Sequence, residues 1–211
     1  MEQARLERDD TVVDVAAGTG KLTRQLVARG LHVVAVEPIG EMLDVLRRVL
    51  PEVEALEGVA EDLPLADGSA DAITVGQAFH WFDHERVVPE FHRVLKPGGT
   101  VALVWNVRDD RDALQAAYAD VLRPHRGSDY PEPPWTGPLE ESELFDVERR
   151  DFPHSQVMDA DALVARAASV SFVAQLPETA RAELLERVRR LAPAGEFAFP
   201  YLTKVFTGRA R

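Results

Sequence analysis

The stretch Thr11–Arg24, TVVDVAAGTGKLTR, restricts the chain more than any other. Thr11, Val12, Val13 and Val15 are β-branched and favour a short buried strand, and Asp14 sets one carboxylate near its end. Gly18 and Gly20 then let the backbone turn and pass close to a ligand where a side chain would obstruct it. From Lys21 the pattern becomes helical, with Leu22, Leu26 and Val27 forming an apolar stripe. A strand, a glycine turn and a helix N-terminus bring unpaired N–H groups to the carboxyl edge of a sheet, where open α/β folds bind ligands. A tight strand-to-helix turn with no ligand is the alternative reading of the same residues.

The details of the turn narrow the ligand. A dinucleotide fingerprint requires G-x-G-x-x-G, and the third glycine is missing after Gly18 and Gly20. A phosphate-binding loop of the G-x-x-x-x-G-K-[ST] type fails as well, because Leu22 follows Lys21 and Val15 stands where its first glycine belongs. The pattern Asp14-x-Ala16-x-Gly18-x-Gly20 instead resembles motif I of the class I S-adenosylmethionine-dependent methyltransferases, usually D/E-x-G-x-G-x-G, with Ala16 replacing the first glycine.

The remaining chain alternates strands and helices. Leu31–Val36 reads as a second buried strand ending in Glu37, where adenosine-binding sheets place a carboxylate for the ribose hydroxyls; an acid capping the next helix is the competing reading. A helix over Glu41–Leu50 contains Met42, and Val53–Gly58 is a short third strand followed by the loop Ala60-Glu61-Asp62. Strand four, Ala70–Val75, runs into Gly76-Gln77-Ala78-Phe79-His80-Trp81-Phe82, an aromatic cluster at a strand tip. That stretch and Leu95-Lys96-Pro97-Gly98-Gly99 resemble a bacterial subset of type 11 methyltransferases acting on small molecules.

Further on, a helix is expected between Asp83 and Leu95, its regular part beginning near Val88 because Pro89 would disturb an interior turn. Thr100–Trp105 is a fifth strand and Asp109–Arg123 a helix, and the prolines between Pro124 and Pro138 make a long loop suited to a lid. A sixth strand is expected over Phe145–Phe152, helices over Asp159–Phe172 and Pro177–Leu191, and a last strand over Phe197–Thr207. The expected fold is one doubly wound α/β domain over residues 1–211, with lid segments about 107–143 and 157–192. The resemblance implies a seven-stranded, mostly parallel sheet of order 3-2-1-4-5-7-6 with the last strand antiparallel.

The resemblance also implies the site. S-adenosylmethionine is expected among Asp14, Ala16, Gly18, Thr19, Gly20, Glu37, Pro38, Met42, Ala60, Glu61, Asp62, Gln77 and Ala78. Met42 is equally readable as core, and the Glu61-Asp62 pair as a solvated loop. The acceptor is expected to be a small apolar or aromatic molecule against Phe79, Trp81, Tyr118, Trp135 and Phe172. Methyl transfer from a sulfonium needs alignment and desolvation more than acid or base. His80 is the histidine placed to serve as a base, with a packing role as the alternative. The histidines show no metal-ligand spacing, so no metal is expected.

Composition excludes other classes. Acidic residues outnumber Lys and Arg by 36 to 24, giving a net charge of −12, a field that repels nucleic acid. No apolar run reaches the length of a membrane span, there are no cysteines, and the charged MEQARLERDD is not a secretion signal, so the expected location is cytoplasmic. Relatives of this kind carry a further helix before strand one, while ten residues precede Thr11 here. On that basis the aromatic face of Phe79, Trp81 and Phe82 is expected to be exposed and cofactor binding weak, with a homodimer as one way to cover the face. A nicotinamide-dependent oxidoreductase and a catalytically silent binding domain are the competing functional classes.

Overall fold

In the computed structural model, which describes residues 6–109, 111–126 and 137–211, the first strand β1 (Thr11–Val15) passes through the glycine turn into α1 (Lys21–Val27). The βα alternation continues through β2 (His32–Glu37), α2 (Gly40–Val49), β3 (Glu54–Glu57), β4 (Ala70–Gly76), α3 (His84–Val94) and β5 (Leu95–Arg108). The helices α4 (Ala113–Leu122) and α5 (Gly137–Glu140), the strand β6 (Phe145–Met158), the helices α6 (Ala160–Ala168), α7 (Ser171–Ala174) and α8 (Glu178–Leu191), and β7 (Phe197–Ala210) follow. The seven strands form one sheet in the order β3-β2-β1-β4-β5-β7-β6, mostly parallel with β7 antiparallel, which is the order expected from the sequence.

Burial on both faces explains why the central strands read as continuous apolar runs. Val12, Val13, Val15, Val33 to Val36, Ala72, Ile73 and Val75 are all buried, with α-helices supplying the covering apolar side chains. Helix α2 contributes Leu43 and Leu46, at 1% and 0% exposure, each worth roughly 2 kcal/mol of apolar burial. At the sheet edge β6 is exposed along nearly its whole length and carries Asp146, Glu148, Arg149, Arg150 and Asp151, charges that discourage pairing with another chain.

Register sets the level of the ligand edge. Val15 pairs with Val36 on one side and Val75 on the other, and Glu37 pairs with Glu57 while Gly76 pairs with Val104. The glycine turn, Glu37 and Gln77 therefore leave the sheet at one height. Contacts group the described residues into two compact units: residues 6–105, 137–150 and 204–211 in the first, and 106–109, 111–126 and 151–203 in the second. The second unit has its own core, in which Tyr118, Leu163, Leu184, Val188 and Phe199 are buried together.

Several boundaries differ from the sequence reading. Helix α3 begins at His84 rather than near Val88, with Pro89 inside it. Pro89 and Glu85 are both exposed, so the carbonyl that loses its partner lies on the solvent side and the kink penalty is reduced. Helix α4 starts at Ala113 rather than Asp109, because Asp112 caps it by accepting the Gln115 N–H at 2.9 Å while Asp109 pairs with Arg111. Strands β5, β6 and β7 each run to 14 residues. Most of the proline loop, with Trp135, lies outside the described residues.

Candidate active site

Glu37 organises the carboxyl end of β1 and β2. Its residue is 3% exposed, and its two oxygens accept the Gly18 N–H at 2.8 Å and the Ile39 N–H at 3.0 Å. The carboxylate thus fastens the glycine turn to the start of α2. Gly18 has φ +58°, and a Cβ added to it would meet only Met42 Sδ, at 4.0 Å, so one side of the turn is open. Gly20 has φ +82° and is packed against α2, where a Cβ would stand 3.0 Å from Leu50 Cδ1 and 3.2 Å from Leu46 Cγ. Ala16 also takes a left-handed conformation, φ +53°, in which a Cβ is strained.

Beneath the turn Asp14 is 1% exposed and accepts hydroxyl hydrogen bonds from Thr23 at 2.6 Å and Thr74 at 2.9 Å. Burial pushes its carboxyl up to about 6, with the two threonine hydroxyls opposing the shift and the Glu37 charge adding to it. Asp14 joins α1, β1 and β4 from inside and presents almost no surface to a ligand.

Three large apolar side chains stand exposed at this edge: Ile39 after β2, Met42 on α2 and Val59 after β3. The sequence reading included Met42 and missed Ile39 and Val59. Their signal was position, since each follows a strand of the parallel sheet within two residues of its end. The next loop divides its acids. Glu61 accepts the Asp83 N–H at 2.8 Å and so anchors the start of α3, whereas the Asp62 side chain is exposed and Ala60 is buried. Glu90 holds the rest of that loop, accepting the Leu63 N–H at 2.6 Å and pairing with Arg93 at 2.7 Å. The Arg93 guanidinium keeps the Glu90 carboxyl below the usual range.

A family model described as a methyltransferase domain matches residues 13–103. An uncharacterised methyltransferase of Mycobacterium tuberculosis is 43% identical over 206 residues, covering 91% of this chain and 80% of that protein. The chain belongs to the class I S-adenosylmethionine-dependent methyltransferases. Solved structures share the methyltransferase fold. An inferred type II methyltransferase from Anaeromyxobacter dehalogenans aligns with TM-score 0.76 at 22% identity over 99% of this chain and 92% of its own. The geranyl diphosphate C-methyltransferase of Streptomyces coelicolor, solved with S-adenosyl-L-homocysteine, aligns with TM-score 0.55 at 16% identity over 100% of this chain and 76% of its own.

In this methyltransferase the aromatic stretch after β4 splits into buried and exposed parts. Gln77 has φ +59° and donates its N–H to the Val104 carbonyl at 2.9 Å, so β4 ends in a strained, well-anchored turn. Phe79, expected to face an acceptor, is fully buried, with ring neighbours Phe82, His84 and Phe91. Trp81 is 76% exposed. Tyr118 likewise is 1% exposed in the core of the second unit, which corrects its assignment as an acceptor contact. Both misplacements have one cause: a 310 turn and an amphipathic helix each bury one face, and composition does not say which. Phe172 is half-buried and lines a cavity.

His80 is half-buried between these extremes, its ring 4.7 Å from that of Trp81. Its Nδ1 is buried with no protein hydrogen-bond partner. Burial first, and the neighbouring His84 second, hold its pKa below the usual imidazole value, so the ring is neutral at pH 7. His84 is committed elsewhere, with Nε2 3.0 Å from the Phe79 carbonyl. Among the described residues no three His, Asp or Glu side chains are grouped to hold a metal ion, and no helix is long and apolar enough to cross a membrane.

Proposed function

We propose that the chain transfers a methyl group from S-adenosylmethionine to a small, largely apolar or aromatic molecule. The observation that carries this reading is the buried Glu37 carboxylate joined to the open Gly18 turn, with Ile39, Met42 and Val59 exposed beside it. An acid at a β2 tip suits ribose hydroxyls, and flanking apolar side chains suit an adenine ring. The residues fit the cofactor: Gly18 keeps the turn clear, Glu37 offers acceptor lone pairs beyond its two backbone bonds, and Asp62 is free of the anchoring role that Glu61 performs. Bound there, S-adenosylmethionine supplies a methyl on an electron-poor sulfonium.

The chain's own residues then bind, orient and exclude water. The Gly18 and Gln77 turns fix the two walls of the strand edge, each through a backbone hydrogen bond to a neighbouring element. His80, neutral and with an unpartnered Nδ1, accepts the proton of a hydroxyl or amine acceptor. The similarity in fold to a C-methyltransferase solved with S-adenosyl-L-homocysteine supports the cofactor.

Calorimetric titration with S-adenosyl-L-homocysteine and with NAD tests the cofactor. Binding of the former without the latter is expected, and the reverse preference overturns the reading. Methyl transfer from labelled S-adenosylmethionine into a panel of small hydroxy-aromatic, amine and carboxylate acceptors tests the reaction. Labelling of nucleic acid or protein in place of every small molecule would overturn the acceptor class.

A further inference from the structure

The second unit carries a group of buried polar atoms that its own packing leaves without partners. Four of them are donors, Tyr118 Oη, Tyr201 Oη, Arg108 Nε and Arg166 Nε, beside Gln115 Oε1 and Arg181 Nε elsewhere in the unit. The four side chains stand together: the Arg166 guanidinium lies 5.1 Å from the centroid of the Tyr201 ring, and Arg108 and Arg166 both act electrostatically on both phenols. Burial is the first cause that lifts both phenols above the usual tyrosine value, so each is a neutral O–H donor. Buried donors almost always have an acceptor, and four in one place are a standing cost of folding unless something supplies one. Two arginine Nε–H groups and two phenols share one requirement, an acceptor, and the two arginine charges favour one that is negative.

Arg108 also lines a cavity of about 500 Å³ within the same unit. Its wall is apolar, formed by Ala116, Ala119 and Leu122 of α4 with Val170 and Phe172, and its rim carries Arg123 and Arg126. Ala116 and Ala119 of α4 open the space as small residues, and Arg123 and Arg126, just past the end of α4, edge it. No acidic residue lines it among the described residues, in a chain whose net charge is −12. The volume suits a small organic molecule.

We propose that this cavity and donor group bind a small organic anion, a molecule with an apolar or aromatic body and a carboxylate or phosphate head. The Arg and Tyr donors take the head and the wall of α4 takes the body. The proposal concerns the second unit by itself, and the experiment reads it separately from the methyl-transfer reading.

Calorimetry with 3-phenylpropanoate, phenyl phosphate and the neutral 3-phenylpropanamide reads the head group directly. At least one anion is expected to bind tenfold or more tightly than the amide, with its advantage falling as salt is raised, and the stronger of the two identifies the head. Tyr118→Phe and Tyr201→Phe remove only an unpartnered hydroxyl, so both variants should stay folded and lose about tenfold in affinity for the anion while the amide is unaffected. Arg123→Gln, at an exposed site, gives a second arm with a smaller loss of the same sign. Equal binding of acid and amide, or anion affinity unchanged in both Tyr→Phe variants, overturns the proposal. S-adenosyl-L-homocysteine titrated into the same samples reads the first unit: binding of it without any anion overturns this proposal alone. Anion binding without it supports this proposal and overturns the methyl-transfer reading.

Discussion

The backbone N–H of Gly18 donates to Glu37 Oε2 at 2.8 Å, joining the turn after β1 to the tip of β2. One side chain therefore both shapes the turn and offers lone pairs to a ligand. Glu37→Ala is expected to raise the dissociation constant for S-adenosyl-L-homocysteine ten- to a hundredfold, on the scale of about 1.5 to 3 kcal/mol for hydrogen bonds to a charged group. It should also lower stability, because the Gly18 and Ile39 N–H groups lose their acceptor. Glu37→Gln keeps the shape with less capacity to accept, and should fall between. Affinity unchanged in both variants would remove Glu37 from the site.

Ala16 occupies a conformation that glycine adopts without strain, φ +53°. The left-handed region costs an L-residue about 1 to 2 kcal/mol, and glycine gives back roughly 0.5 to 1 kcal/mol through its freer unfolded chain. Ala16→Gly should therefore stabilise the protein by about 0.5 to 1 kcal/mol, read as a higher midpoint in denaturant. A loss of stability would mean that the Ala16 methyl packs more productively than the backbone conformation suggests.

Asp14 makes stability depend on pH in a defined window. Its carboxyl is raised from 3.8 to about 6 in the folded protein, chiefly by burial, so the folded state favours the protonated form. Its contribution is most favourable below about pH 4, is lost as the pH rises toward 6, and stays absent above that, an effect of about 3 kcal/mol. Asp14→Asn removes this titration while leaving an amide among the Thr23 and Thr74 hydroxyls. The difference in stability between wild type and variant should therefore change in the variant's favour from pH 4 to pH 6. A difference that is flat across that window refutes the burial effect.

Phe79 and Trp81 are neighbours in sequence with opposite fates, 0% and 76% exposed. Phe79→Ala opens a cavity among Phe82, His84 and Phe91 and should cost about 3 to 5 kcal/mol. Trp81→Ala should alter stability by less than about 0.5 kcal/mol, as surface substitutions do. Thermal melts of the two variants check the pair, and equal losses would contradict the packing.

His80 carries the proton-transfer prediction. A neutral imidazole with its pKa below the usual value of about 6.5 gives a rate that rises with pH and levels off below neutrality. His80→Gln should remove that acid limb and lower kcat, with the affinity for S-adenosyl-L-homocysteine unchanged. A variant that keeps both the limb and the rate assigns His80 to packing against Trp81 alone.

The sheet was legible because each central strand is buried on both faces, so Val12 to Val15, Val33 to Val36 and Ala72 to Val75 announce themselves as apolar runs. The turn was legible because Gly18 and Gly20 do locally what only glycine does with ease, and the acid of Glu37 falls at a strand end. Distant packing decided the rest. Whether Phe79 faces ligand or core depends on the rings of His84 and Phe91, which a local pattern does not locate. Glu61 looked equal to Asp62 in sequence, and the N-terminus of α3 made one an anchor and left the other exposed. The unpartnered group of Arg108, Tyr118, Arg166 and Tyr201 is the clearest case. Its members come from β5, α4, α6 and β7, far apart along the chain, and only the tertiary fold of the second unit brings their donors together, because a hydrogen-bonding deficit belongs to a place in space and not to any one residue.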